Sequence, residues 1–379
     1  MEVSPVISRN RSPLSDKLSA LAPLRLPNYR RTRYDGDNLC IHLDALAPRD
    51  QELLRALYMQ LSELLYLIAD LSTSDLQKWE SVQAWLDRYD LDRIIDEVRE
   101  IGHATHKVAP SEDLAKALHD VRGGALSSLL GRLQLLGFLR TLPTALNLLF
   151  VQARDHLKIM RNAVVGLDEE RRNADRRPKA HAMQLMLDKW QESVVGPNWR
   201  ERPIRMETDC HYEGALTECC LESAAIDRTF YNLAANACRH AADERLRMVV
   251  FPLGEGPNDG CLRFVLSNRV SDEDAARLLE LAGNKHMDPK RPGPGEDLLA
   301  LCEPEISSTG SGFGLTVVAD FVAAAFGLRD GAEALRERYV GASLEGKTFR
   351  VWFHWPMAHD NLPSKLDDYH RPQESLSEP

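Results

Sequence analysis

Phe230-Tyr231-Asn232-Leu233-Ala234-Ala235-Asn236-Ala237-Cys238-Arg239-His240 sets two carboxamides one helical turn apart on an otherwise apolar segment. Further on, Gly310-Ser311-Gly312-Phe313-Gly314-Leu315 is a glycine turn opening onto an apolar run from Thr316 to Phe326. Residues four apart share one face of a helix, so Asn232 and Asn236 stand together. A hydrated Mg²⁺ ion keeps most of its waters and takes one or two protein ligands where phosphates supply the rest. That chemistry suits the Asn236 oxygen as ligand, with Asn232 holding the water shell. Glycines let the backbone approach an anion closely, and the N-terminus of the next helix aims unpaired N–H groups at it.

Between the two stretches, Leu246 to Leu253 and Leu262 to Val270 are apolar runs joined by the turn-rich Gly254-Glu255-Gly256-Pro257-Asn258-Asp259-Gly260. This pattern predicts a β-hairpin. Thr348-Phe349-Arg350-Val351-Trp352-Phe353-His354-Trp355 is a further strand. The order helix, hairpin, long loop, glycine turn, helix resembles the nucleotide-binding domain of the GHKL ATPases, the Bergerat fold, over residues 178–357. The resemblance implies ATP and Mg²⁺ as cofactors, with Asn236 as the metal ligand. Gly310, Gly312 and Gly314 match the family's second glycine box, Leu315 follows them, and Arg239 and His240 are set to contact phosphates. Lys285, Lys290 and Arg291 fall in the long loop that the family uses as an ATP lid. One departure stands out: where the family has an Asp that accepts from the adenine amine, this chain has Asn268, and the glycines that should follow are missing. Asp272 is the alternative acceptor if the register moves by four. A neutral hydrogen bond contributes about 0.5–1.5 kcal/mol against about 1.5–3 for one to a charged group. Adenine affinity is therefore expected to be weakened, and turnover is left open.

Upstream, Leu118, Val121, Ala125, Leu129, Leu133 and Leu136 recur at helical spacing, and after a break at residues 140–144 so do Leu146, Leu149, Ala153, Leu157, Met160 and Val164. Such a periodicity predicts a helical hairpin. Two arms so apolar lack neighbours to bury both stripes, so two copies are expected to pair into a four-helix bundle, making the chain a homodimer. On the first arm His119-Asp120-Val121-Arg122 resembles the phospho-acceptor box of the sensor histidine kinases, whose dimerisation hairpin precedes a GHKL domain in this order. The resemblance makes His119 the phosphoryl acceptor, its imidazole nucleophilic near neutral pH. Asp120 is cast as the carboxylate that holds the other ring N–H. Gly123 and Gly124 each cost about 1 kcal/mol of helix propensity relative to Ala, which predicts a kink just past the acceptor. His103, His106, His156 and His181 lack metal-ligand spacing with acidic or cysteine partners.

The fold expected is α+β. It comprises a flexible segment 1–34, a helical sensing or docking module 35–105, the acceptor hairpin 106–172, a Bergerat-type α/β sandwich 178–357 and a disordered tail 358–379. The 379 residues are 44% apolar, and no apolar run is long enough to span a bilayer. Seven scattered cysteines point to thiols rather than disulfides or zinc. A formal charge of −10 disfavours nucleic acid as a partner. The composition suits a cytoplasmic protein without membrane insertion. The functional expectation is a two-component histidine kinase that autophosphorylates from Mg-ATP and passes the phosphoryl group to an aspartate in the receiver domain of a response regulator. Two alternatives remain: a non-catalytic pseudokinase acting as a dimeric phosphotransfer protein or scaffold, and a GHKL protein kinase acting on serine.

Overall fold

The computed structural model describes residues 17–19, 21, 40–69, 72–109, 111–139, 144–175, 180–190, 193–194, 204–217, 225–254, 260–283, 296–298 and 314–357. Gly310, Gly312, Lys285, Lys290, Arg291 and the expected tail lie outside them. The order is β1 (Ile41–His42), α1 (Pro48–Ala69), α2 (Asp75–Arg88), α3 (Leu91–Glu100), α4 (His103–Val108), α5 (Glu112–Arg122), α6 (Gly124–Leu139), α7 (Thr144–Ala163), β2 (Val164–Val165) and α8 (Glu169–Asp175). Then follow β3 (Ala180–Ala182), α9 (Met183–Trp190), β4 (Ser193–Val194), β5 (Ile204–Cys210), β6 (Ala215–Thr217), α10 (Ala225–His240), β7 (Arg245–Leu253), β8 (Cys261–Arg269) and α11 (Asp272–Gly283). The chain closes with β9 (Glu296–Asp297), α12 (Gly314–Phe326), α13 (Gly331–Arg336), β10 (Val340–Glu345) and β11 (Thr348–Pro356). The fold is α+β, and no described helix is long and apolar enough to cross a membrane.

Local chemistry sets the helix starts. Ser74 and Gln77 form a capping box on α2, and the Ser111 hydroxyl accepts from the Leu114 amide to start α5. The kink expected after the acceptor is a full break. Gly123 leaves helical geometry at φ −86°, ψ −143°, and α6 begins at the next residue.

The stripes of the hairpin are buried within the chain, which corrects the premise of a two-copy bundle. Leu53, Leu57, Leu61 and Leu64 of α1 share one core with Leu118, Val121, Leu129 and Leu133 of α5 and α6 and with Leu149, Leu157 and Met160 of α7. The missing neighbour is α1, whose own stripe recurs at three- and four-residue steps. Residues expected to form separate modules, 35–105 and 106–172, thus share a single apolar core.

The second half is a seven-stranded mixed sheet ordered β4-β5-β7-β8-β11-β10-β9, with β5 and β7 parallel. β7 and β8 form the expected antiparallel hairpin, and β11 inserts between β8 and β10. Along β8, Leu262, Phe264 and Leu266 join the core under α10 and α12, while Val265 turns to the opposite face with Val249, Phe251 and Trp352. Period-2 alternation therefore gives the sheet two apolar faces.

Two further expectations are corrected. Leu18 and Leu21, placed in a flexible segment, are buried on that outer face, where Arg263 Nη1 donates to the carbonyls of Leu18, Ser19 and Leu21 at 3.1, 2.8 and 2.8 Å. The long loop after β8 opens instead with α11. Ser271 Oγ accepts from the Asp274 amide, three acids occupy the first turn, where they suit the helix dipole, and Ala275, Leu278 and Leu281 pack on the sheet core.

On α7, His156 is fully buried, and neither ring nitrogen has a hydrogen-bond partner. Burial pushes its pKa down to about 3. The unfolded chain binds a proton near the usual value of about 6.5 and the folded chain does not, so stability falls as the pH drops from 6.5 toward 3. Between pH 7 and pH 5 the native chain should lose about 2 kcal/mol more than His156→Leu does, at about 1.4 kcal/mol per unit. Urea unfolding at the two pH values measures this, and equal losses would contradict it.

Candidate functional site

Helix α10 is wedged between the sheet and the hairpin of α5 to α7, and every residue from Ala225 to Ala234 is buried. Its polar residues Arg228, Asn232 and Asn236 recur at four-residue steps and therefore form one row. The first two meet Asp120. Arg228 Nε donates to Asp120 Oδ2 at 2.7 Å, and Asn232 Nδ2 donates to Oδ1 at 3.0 Å. His119 Nδ1 lies 3.4 Å from the same Oδ1. Asp120 and Arg228 side chains are 1% and 2% exposed, whereas His119 is 20% exposed. Burial by itself would raise the Asp120 pKa. The Arg228 charge, His119 and the Asn232 amide outweigh it and hold the carboxyl below the usual range.

Asp120 therefore does more than steady the imidazole: both its oxygens are spent on α10. Asn232, expected to hold a water shell around a metal, has its amide nitrogen committed to Asp120. Asn236 is half-buried and forms no hydrogen bond to another described residue. At the end of α10, Arg239 is exposed and His240 half-buried. Burial lowers the His240 pKa, with Asp274 of α11 opposing the shift and Arg239 and Arg277 adding to it. Asn268 is buried on β8, and its side chain shares the parity of Phe264 and Leu266, on the helix-covered face; its amide donates to the Arg269 carbonyl at 3.2 Å. Gly314 and Leu315 open α12. In its first turn Thr316 Oγ1 is buried without a partner.

The sequence reading missed Arg228, whose guanidinium also lies 4.4 Å from the centroid of Phe321 on α12. The signal was present as a lone arginine one turn before Asn232 on an apolar helix. A second cluster ties α7, α9 and α10 together. Asp227 accepts from Lys158 at 3.1 Å and Lys189 at 2.8 Å, and Asp155 accepts from Lys189 at 2.8 Å and from the Tyr231 hydroxyl at 3.3 Å. Against the cost of burial, the two lysines hold Asp227 well below the usual carboxylate range. A third tie is Lys116 of α5 to Asp320 of α12, at 2.8 Å. Among the described residues no group of three or more His, Cys, Asp or Glu is arranged to hold a metal.

No protein-family model matches the chain, and no curated protein does. Solved structures that match include the Acinetobacter baumannii histidine kinase AdeS, at 14% identity and a TM-score of 0.27 over 64% of this chain and 98% of that one. Full-length ShkA in complex with AMPPNP matches at 17% identity and a TM-score of 0.31 over 70% of this chain. This chain spans 46% of that second protein. Likenesses of this size leave the activity to be argued from the chain's own residues.

The break in the acceptor arm is also a contact. A Cβ on Gly124 would sit 2.3 Å from the carbonyl oxygen of Tyr231 and 3.1 Å from Ala235 Cβ. Alanine is favoured over glycine in helices by about 1 kcal/mol, yet here the clash is with backbone and overpacking costs about 1–3 kcal/mol. Gly124→Ala should therefore destabilise the chain in urea unfolding; a stabilised variant would show that α6 does not lie against α10.

Proposed function

We propose that the chain is an ATP-dependent protein-histidine kinase in which His119 takes the phosphoryl group and hands it to an aspartate of a response regulator. The observation that carries this reading is the row on α10: Arg228 and Asn232 bind the neighbour of His119, and Asn236, one turn on, has an amide with no described partner. The α10 face that carries the candidate metal ligand thus also binds the residue next to the candidate acceptor on α5. The Asn236 amide, without a partner among the described residues, fits a Mg²⁺ shell, and the first turn of α12 with its unpartnered Thr316 hydroxyl fits phosphate oxygens. Bound Mg-ATP would supply the phosphoryl group.

The remaining work falls to this chain's residues. With Nδ1 of His119 turned to Asp120, Nε2 is the nitrogen whose lone pair is left to attack. Asp120 is kept ionised by Arg228, and it offsets the positive charge that the ring gains when Nε2 is phosphorylated. Asn268 on the helix-covered face accepts from the adenine amine in place of a carboxylate.

A second reading is a phosphotransfer protein without turnover. It is favoured by the commitment of Asn232 to Asp120 and by the neutral Asn268. Incubation with γ-labelled ATP and Mg²⁺ separates the two. The kinase reading expects acid-labile label on the native chain and none on His119→Ala or Asn236→Ala. Label absent from the native chain, together with transfer to His119 from a phosphorylated receiver domain, would overturn the kinase in favour of the phosphotransfer protein.

A further inference from the structure

Lys116 precedes His119 by three residues, so the two side chains are neighbours on one face of α5. The Lys116 ammonium is the acceptor helix's ion-pair link to α12, bonded to Asp320 at 2.8 Å and to Glu112 at 3.0 Å. It is not locked away: Lys116 and Asp320 side chains are 20% and 19% exposed. One residue beyond His119 stands the buried carboxylate of Asp120, whose oxygens are already filled by Arg228 and Asn232. A phosphoryl group on His119 would bring up to about two negative charges and three strong acceptor oxygens into this setting. Lys116 and Arg122 each stand three residues from His119; Arg122 is held by the carbonyls of Leu118 and Ile101 at 3.4 and 3.1 Å, and Lys116 is the one whose turning would untie another element.

We propose that phosphorylation of His119 draws Lys116 from Asp320 to the phosphoryl oxygens and so frees α12 from α5 and loosens α10 on that arm of the hairpin. The proposal rests on His119 being the phosphoryl acceptor. Losing its cation leaves Asp320 with the Gly331 amide alone beside Glu112, and the new anion repels Asp120, so two of the three polar ties are weakened by one event. The third, around Asp155 and Asp227, ties α10 to α7 and α9 and is left in place, which makes the change a loosening about that edge rather than a separation. Phosphorylated chain would then present His119 with α12 withdrawn, as an incoming partner domain requires.

The test uses potassium phosphoramidate on the full chain, so that neither ATP nor a partner is needed. The neutral imidazole nitrogen attacks phosphorus, the P–N bond breaks, and ammonia leaves with the imidazolium proton. Mass spectrometry identifies modified His119, and amide hydrogen exchange follows residues 225–240 and 314–326. Exchange there should rise about tenfold or more on phosphorylation. Asp320→Asn and Lys116→Met should exchange faster beforehand and gain little on phosphorylation, whereas Lys116→Arg should behave as the native chain. Unchanged protection in the phosphorylated native chain would overturn the proposal, as would a full response in Lys116→Met or in Asp320→Asn. So would failure to modify His119 in the folded chain when the unfolded chain is modified. Opening of the phosphorylated chain alongside absent ATP labelling would keep this switch and remove only the kinase.

Discussion

The buried carboxylate of Asp120 is the constraint to which the rest of the arrangement answers. Taking a carboxylate and a guanidinium out of water carries a penalty of several kcal/mol per ion, repaid only when geometry is good and the remaining lone pairs are bonded. Arg228 on one oxygen and Asn232 on the other meet that condition. Because both partners come from α10, satisfying Asp120 fixes where α5 lies on the sheet domain. Gly123 and Gly124 follow from it: only a helix broken and bare at that point lets α6 come within contact of the α10 backbone.

The two halves are built on different physics from the junction between them. Each has its own apolar core, one uniting α1 with the acceptor hairpin and one under the sheet, to which the hairpin adds Ala125 and Ile159. The junction is mostly charge and amide. Polar interfaces between domains are the kind that open and close, because parting them exposes little apolar surface and water can replace each lost bond. On the far side of the sheet Leu18 and Leu21 cover an apolar face that would otherwise be open, with Arg263 holding their carbonyls.

What could be read in the sequence was whatever repeats locally. The stripes of α5 to α7, the β7–β8 hairpin, the β11 strand and the helix of Asn232 and Asn236 all carry their period in neighbouring residues. His119 and Asp120 were found as a pair, and the structure places them against the predicted nucleotide helix. Pairings between distant residues were not legible. Nothing in the sequence joins Asp120 to Arg228, 108 positions away, or tells that α1 shares the hairpin's core. Helix α11 was missed because the Pro- and Gly-rich stretch beyond it set the reading for the whole segment. The bond from Asn232 to Asp120 was not legible for a related reason: an amide one turn from a candidate ligand looks the same whether it faces a metal shell or a carboxylate from another domain.

The most direct test is a double-mutant cycle on Asp120 and Arg228, using Asp120→Leu and Arg228→Met in urea unfolding of the full chain. Either single change strands the other charge in the interior and should cost about 3–5 kcal/mol. The double variant should be no worse than either single one, giving a coupling above about 2 kcal/mol. Two single losses that simply add would mean the carboxylate and the guanidinium do not meet, and the docking of the acceptor helix on α10 would fall with them.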